Sequence, residues 1–347
     1  METYPINAQF YCGIDMHARN SYLCVMNSTG DILFKRNISN NFEVFKQFMQ
    51  PFLPDLAVGV ESTYNYYWLL DGCQQGGIPF HLGHALYMKA ISGHKKKKDP
   101  IDARTIANLM RTNFFPPAYP YPREMRVTRD LLRRRHRLVR IRAEAYTHIQ
   151  LVFHQYGITD ILPTEVRHKP TRHQLIERFA EEDLQANIAT DLAVIEALDP
   201  LIDGLEKQIL AQAQQHNPCD YQILLTVPGV GPMITLNIIY EIHSIARFKT
   251  VQKFSSYCRV VKCMRESGGK IKGYKNQKIG NPYLKWAMSQ IIISAQSGSE
   301  SIAKYYQRLE NKYGRRRARA QIAHKFAVAI YFMLKDGKVF DQKRFVS

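Results

Sequence analysis

The sequence predicts an α/β domain followed by a long helical remainder, and three observations carry that expectation. Short β-rich runs, turn residues and amphipathic stretches alternate over roughly the first 95 positions. A very basic pattern with a helical apolar stripe follows from about Thr128 to Gln155. Isoleucines then recur at seven-residue spacing, and further helical segments fill roughly the last 130 residues. At 347 residues the chain is long enough for two or three cores, because single cores stop growing near ~250–300 residues. The expected division is residues 1–122, 123–217 and 218–347.

Taken in order, FYCGID, SYLCVMN and DILFKRNI read as strands, with STGD as a hairpin-type turn between the second and third. NFEVFKQFMQPF reads as a short amphipathic helix with Phe42, Phe45, Phe48 and Met49 on one face. LAVGVES is an apolar strand of the kind covered on both sheet faces. YNYYWLLDGCQQGG is a helix closed by Gly76 and Gly77, and IPFHLGHA supplies a further strand. Three strands, then alternating helix and strand, is the order of an RNase H-like domain. DPIDARTIANLMR begins another helix, with Asp99 suited to the N-cap and Pro100 to the first helical position. FFPPAYPYP reads as an extended, semi-rigid linker.

In the basic stretch, Leu131, Leu138, Ile141, Ala145, Ile149 and Val152 form the apolar stripe. Downstream, Ile188, Ile195, Ile202 and Ile209 fall at heptad spacing, with Leu198 and Leu205 at the matching positions. That pattern predicts a coiled-coil or antiparallel helix pair whose partner is the first helix or another chain. Pro200 is expected to kink the run, or to restart it with Asp199 as cap.

Charge narrows the partners. The net charge is +18, and from Lys95 to Glu144 there are 15 Lys/Arg against 5 Asp/Glu, a surplus of +10. Such a balance points to polyphosphates or anionic membranes. No apolar run of ~18 residues suggests a membrane span, and METYPINAQF lacks the marks of a signal peptide. Cys12, Cys24, Cys73, Cys219, Cys258 and Cys263 show no CxxC spacing, which fits a reduced, cytoplasmic protein without a structural zinc site. Arg133, Arg134, Arg135 and Arg137 are candidate nucleic-acid contacts, as are Lys95, Lys96, Lys97 and Lys98, and Arg315, Arg316 and Arg317. VPGVGP resembles a helix-hairpin-helix turn, in which Gly229 and Gly231 could aim backbone N–H groups at a phosphate.

Four carboxylates stand out. Asp15 ends the first strand, Glu61 ends an inner strand, and Asp99 and Asp102 lie three apart at a helix start, on one face. Four acids converge only around a cation, so the set predicts a Mg²⁺ or Mn²⁺ site suited to phosphodiester exchange.

These motifs carry a resemblance. GID, VES and KKDPIDARTIA are similar to the DEDD catalytic set of the Piv-invertase-like insertion-sequence transposases, whose first domain resembles the RuvC junction resolvases. TVPGVGP, FKTVQKFSSYC, ESGGK and KIGNPYLKWAM are similar to that family's second domain, so the likeness spans nearly the whole chain. Lys285 stands where relatives carry arginine, and Glu266 where many carry a second serine. The resemblance implies that Asp15, Glu61, Asp99 and Asp102 bind the metal and that Ser267, in RESGGK, is a nucleophile that becomes linked to DNA. It further implies donor and target DNA as substrates, a structured guide RNA from the element, a homo-oligomer (dimer or tetramer) and a bacterial cytoplasmic setting. The competing readings are a water-using junction nuclease, a non-catalytic RNA- or DNA-binding protein, and an actin-like ATPase. The last is disfavoured because MHARN offers no glycine where phosphates would need cradling.

Overall fold

The computed structural model describes residues 5–92, 99–261, 264–274 and 279–347. The chain divides into two compact units, Met1–Arg123 and Glu124–Ser347. The first is a mixed α/β sheet domain and the second is mostly helical.

The first unit is built on strands β1 (Phe10–Met16), β2 (Asn20–Asn27) and β3 (Ile32–Ser39). Asn27 makes the turn between the last two, its Oδ1 accepting from the Gly30 and Asp31 amides at 2.8 Å each, while Gly30 takes φ +101°. Helix α1 (Phe42–Met49) is capped by Asn41 and runs into a 3-10 turn, Gln50–Asp55. Strand β4 (Leu56–Glu61), helix α2 (Tyr67–Gln75), strand β5 (Phe80–Gly83), helix α3 (Ala85–Ser92) and helix α4 (Asp99–Arg111) complete it. Strand order is β3-β2-β1-β4-β5, antiparallel through the first three and parallel from β1 onward.

Strand alternation gives the sheet two different faces. Cys12, Ile14 and Met16 of β1 and Leu56, Val58 and Val60 of β4 join Phe45, Met49, Leu69 and Leu70 in the core under α1 and α2. The opposite face carries Tyr11, Gly13 and Asp15 of β1 with Ala57, Gly59 and Glu61 of β4, and α4 covers it. A Cβ on Gly13 would stand 2.2 Å from the Ala103 carbonyl oxygen and 2.3 Å from the Ala107 amide. One on Gly59 would stand 2.3 Å from the Met110 sulfur. Two absent side chains therefore let α4 lie flush on the strands, burying Ala103, Ile106, Ala107 and Met110. Ile106 and Met110 each contribute roughly 1.5–3 kcal/mol of burial.

The proline-rich segment is not the free linker that its composition suggests. His84 N–H donates to Pro116 O at 2.8 Å and Ala118 N–H to Leu82 O at 2.6 Å, and Gly83 bridges to Pro117. With Phe115 and Tyr121 buried, it lies along β5 as part of the first unit.

The second unit opens with α5 (Arg123–Gln155), which starts five residues before the expected Thr128. A short helix α6 (Pro163–Arg167) and a 3-10 turn lead to α7 (Glu182–His216), which continues through Pro200 without restarting. Asp199 is no cap: it is buried and takes Arg142 and Arg172. The two long helices pair antiparallel through Thr128–Gln212, Arg135–Glu206, Arg142–Asp199 and His148–Asp191. Ile188, Ile195, Ile202 and Ile209 are all buried, and Ile188 and Ile195 share a cluster with Ala145, Ile149, Val152 and Phe153. The heptad stripe thus finds its partner in the same chain. On α5 the buried leucine of the first turn of the stripe is Leu132 rather than Leu131.

Helices α8 (Pro218–Leu225), α9 (Pro232–Ile242) and α10 (Val251–Tyr257) follow, then a hairpin of β6 (Met264–Ser267) and β7 (Lys270–Tyr274). Helices α11 (Pro282–Gly298), α12 (Glu300–Tyr313), α13 (Arg315–Asp336) and α14 (Gln342–Val346) close the chain. No described helix is long and apolar enough to cross a membrane.

We expect Gly13→Ala to force the sheet away from the α4 backbone, costing about 1–3 kcal/mol or more. Thermal unfolding checks this, and an unchanged midpoint would refute the close contact.

Candidate active site

The parallel pairing of β1 and β4 sets Ile14 opposite Val60. The next residue on each strand is an acid, so Asp15 and Glu61 stand side by side where both strands end. Glu61 also pairs with Gly83 of β5, and the Ser62 amide donates to Gly83 O at 2.8 Å, which fixes this rim. The loop after β1 is tied down as well. The Asn40 and Asn65 amide groups both donate to the His17 carbonyl, at 2.8 and 2.7 Å, and Thr63 holds Asn65 through a 2.8 Å bond. His17 Nε2 lies 3.8 Å from the Asp15 carboxylate.

Helix α4 brings the other two acids. Ala103 sits on Gly13, so the preceding turn of the helix reaches the strand end beside Asp15. Asp102 is half-buried there, one turn before the buried Ile106. Asp99 opens the helix, and its side chain lies outside the described residues. Among the described residues no three His, Cys, Asp or Glu side chains come close enough to hold one ion. The donors are all hard carboxylate oxygens, which suits Mg²⁺ or Mn²⁺. Gly13 and Gly59, each two residues before its acid on the same strand face, are the positioning residues that the sequence reading passed over. Their signal was present as G-x-D and G-x-E.

Ser267 lies in the second unit, as the last residue of β6, and is exposed. It pairs with Lys270 across Gly268 and Gly269, whose φ values of +60° and +70° make the two-residue turn that only glycine adopts readily. Among the described residues, a Cβ on either glycine would meet nothing within 4 Å, so the turn itself is open. The rival serines sit in α10: Ser255 is fully buried and Ser256 exposed on the helix. Cys258 is buried, which pushes its thiol far above the usual range, and Cys263 lies outside the described residues.

Downstream of the hairpin the chain is anchored by a buried polar cluster. A Cβ on Gly280, which has φ +96°, would stand 2.6 Å from Tyr257 O. The Asn281 amide donates to that same oxygen at 2.6 Å, while its side chain caps α11 and donates to Glu241 at 2.6 Å. Glu241, in α9, is buried and receives a bidentate pair from Arg133 at 2.7 and 2.8 Å. Desolvation works against the Arg133 charge, but Glu241 overrides it and raises its pKa.

The basic helix therefore divides. Arg133 and Arg135, expected as nucleic-acid contacts, are held by Glu241 and Glu206; only Arg134 and Arg137 of that run are exposed. Lys95, Lys96, Lys97 and Lys98 lie outside the described residues. Arg315, Arg316 and Arg317 are exposed in the first turn of α13. Gly229 and Gly231 form part of the turn between α8 and α9, but a Cβ on Gly229 would meet Ser294 O of α11 at 2.0 Å. Gly229 thus lets the turn pack closely against α11, a packing role beside its reading as a phosphate contact. Gly231, the N-cap of α9, faces open space.

The sheet order, with acids at adjacent strand ends and on the covering helix, defines an RNase H-like domain of the RuvC-like DEDD class joined to a helical unit. Comparison with known proteins specifies it. The DEDD transposase model of IS110 matches residues 12–158, and the transposase model of the IS116/IS110/IS902 family matches residues 221–307. Both describe the same family and together take in more than half of the chain, which therefore belongs to the IS110-family transposases. A mini-circle protein of Streptomyces coelicolor assigned as the transposase for IS117 is 22% identical over 403 aligned residues, covering 96% of each chain.

Two outcomes test the division of the arginines. Arg133→Ala strands the buried Glu241 charge and should cost about 3–5 kcal/mol in denaturant unfolding. Arg134→Ala with Arg137→Ala should leave stability nearly unchanged but lower the log–log salt slope of nucleic-acid binding by roughly 0.7–0.9 per lost contact. An unchanged slope would make these two a solvated face.

Proposed function

We propose that the chain cuts and rejoins DNA of an insertion sequence and its target through Ser267 as nucleophile, assisted by a divalent-metal site of Asp15, Glu61, Asp99 and Asp102. The observation that supports this reading is the strand register that puts Asp15 next to Glu61, with α4 packed on the same sheet face through Gly13 and Gly59. A bound Mg²⁺ or Mn²⁺ would supply Lewis acidity to the phosphodiester. The Ser267 Oγ gives up its proton and forms an ester to phosphorus as the bond from phosphorus to one deoxyribose oxygen breaks. That oxygen leaves as a hydroxyl, and a hydroxyl from the second strand reverses the exchange to rejoin. A serine hydroxyl is weak at neutral pH and needs such activation.

Arg134, Arg137, Arg315, Arg316 and Arg317 suit phosphate contact because all are exposed. Cations in the first turn of a helix oppose its dipole by ~0.3–1 kcal/mol each, so the three on α13 serve something other than that helix. The reading extends, on the resemblance in the sequence motifs, to a structured RNA of the element that selects sites by base pairing, and to a dimer or tetramer. Such a protein would read shape and backbone rather than base edges. A nuclease that uses water is the second reading, favoured by the same acids.

Asp15→Ala, Glu61→Ala and Asp102→Ala should each lower strand exchange on the order of 10²–10³-fold, with nucleic-acid binding retained and chelation mimicking all three. Full activity in EDTA would end the carboxylate-site reading. On a nicked substrate the wild type should trap a denaturant-resistant protein–DNA adduct that Ser267→Ala abolishes. Cleavage without any adduct would select the nuclease, and an adduct that persists in Ser267→Ala would place the nucleophile elsewhere.

A further inference from the structure

Where α5 meets α11, three aromatic rings cluster within the second unit. The His136 ring stands edge-on to Trp286, with centroids 4.7 Å apart, and to Tyr283 at 5.3 Å. The Arg133 guanidinium covers the Tyr283 ring at 4.7 Å and is locked by Glu241, so the tyrosine cannot swing away. Tyr283 and Trp286 are both half-buried, three residues apart on one helix face. Exposed cations lie near them: Lys285, next to Trp286 along α11, and Arg137 and Arg140 on the turn of α5 that carries His136. The nearest buried carboxylate, Glu241, is already neutralised by Arg133, and Arg140 meets the exposed Glu144 at 3.3 Å. Burial, then Arg135 and Arg140, lowers the pKa of the His136 imidazole from its ordinary value, against an opposing pull from Glu241. None of this chemistry is used by the metal rim or by Ser267.

We propose that Trp286, Tyr283 and His136, with Arg137, Arg140 and Lys285 nearby, form a stacking ledge for an unpaired base of single-stranded nucleic acid. Aromatic faces take any base by stacking, and flanking cations hold the strand's phosphates. A duplex keeps its bases stacked on one another and offers the ledge only phosphates. The proposal rests on the reading that the chain handles nucleic-acid strands, and not on the identity of the nucleophile.

The sequence contains two tryptophans, Trp68 and Trp286, so Trp68→Phe leaves Trp286 as the only indole reporter. In that background, a 12-mer of thymidylate should quench and shift the emission at saturation, and a blunt duplex of equal phosphate content should not. A 12-mer of uridylate runs in parallel; quenching by either strand supports the ledge and tells which sugar it accepts. In the otherwise wild-type chain, Trp286→Leu should weaken single-strand affinity roughly tenfold with duplex affinity unchanged, and Trp286→Phe should recover most of the loss. If Trp286→Leu does not fold, Lys285→Ala read by Trp286 quenching supplies the same comparison. All these results should persist in Ser267→Ala, which separates them from the adduct experiment. Absence of quenching by both strands, equal quenching by duplex, or equal losses for strand and duplex would each overturn the ledge.

Discussion

The position of α4 is decided by two side chains that are absent. Any residue larger than glycine at position 13 would drive a carbon into the Ala103 carbonyl and the Ala107 amide. A bulkier residue at 59 would collide with Met110. Because backbone meets backbone at Gly13, the helix has no freedom to slide along β1 without breaking contact. The same lock bears on the candidate site: Asp15 is two residues beyond Gly13 and Glu61 two beyond Gly59, on the same faces, while Asp102 precedes the alanine seated on Gly13. The acids of the rim thus inherit their placement from strand register and from a glycine contact one pleat below. Side-chain flexibility adds little error, since aspartate has only two torsions to settle.

Charge on α5 follows a different logic from the one its composition suggests. A run such as RRRHR looks uniform in one dimension, but a helix turns 100° per residue and sends neighbours to different partners. Arg135 and Arg142 lie a heptad apart on the side facing α7, where Glu206 and Asp199 await them. Arg133 lies on the side facing α9. Within the acid-rich stretch from Asp160 to Glu206, which holds 11 acids against 4 bases, Asp191, Asp199 and Glu206 supply counter-charge to this helix. What remains for an outside partner is the set with no ion pair seen among the described residues, such as the exposed Arg134 and Arg137. Ion pairs of this kind are costly to desolvate and do little for net stability compared with apolar packing. Their repeat along the pair instead fixes which turn of α5 meets which turn of α7.

How much was legible depends on how local the determining contacts are. All five strands of the first unit, the STGD turn, the glycine closure of α2 and the carboxylate near each strand end were readable, because alternation and turn chemistry act over a few residues; the short β6–β7 hairpin was not. The same alternation put Asp15 and Glu61 near the ends of adjacent strands, and the fold has them there. What escaped was set by distant partners. FFPPAYPYP has linker composition, yet the backbone groups of Pro116 and Ala118 are taken by the edge of β5 and Phe115 finds a core. Pro200 removes one helical hydrogen bond, but a 35-residue helix packed along its length tolerates that loss. The glycines of VPGVGP could be read as phosphate-binding or packing from sequence alone; the contact with α11 adds a packing reason for Gly229, and none is seen for Gly231 among the described residues.

The buried Glu241 connects these two kinds of determinant. An apolar residue of similar size in α9 would avoid the desolvation of a carboxylate and its arginine, and such replacements are often neutral or stabilising. Glu241 does what an apolar side chain cannot. It accepts two bonds from Arg133 on α5 and one from Asn281 at the start of α11, so three helices are registered at one point. Asn281 in turn fixes Gly280 against Tyr257 and caps the helix that carries Tyr283 and Trp286. The chain leaving the Ser267 hairpin therefore re-enters the fold at a site held by directional bonds. Directional bonds fail abruptly when geometry shifts, whereas apolar contacts yield gradually. The polar cluster trades some stability for a definite position of the chain where it leaves the hairpin and enters α11.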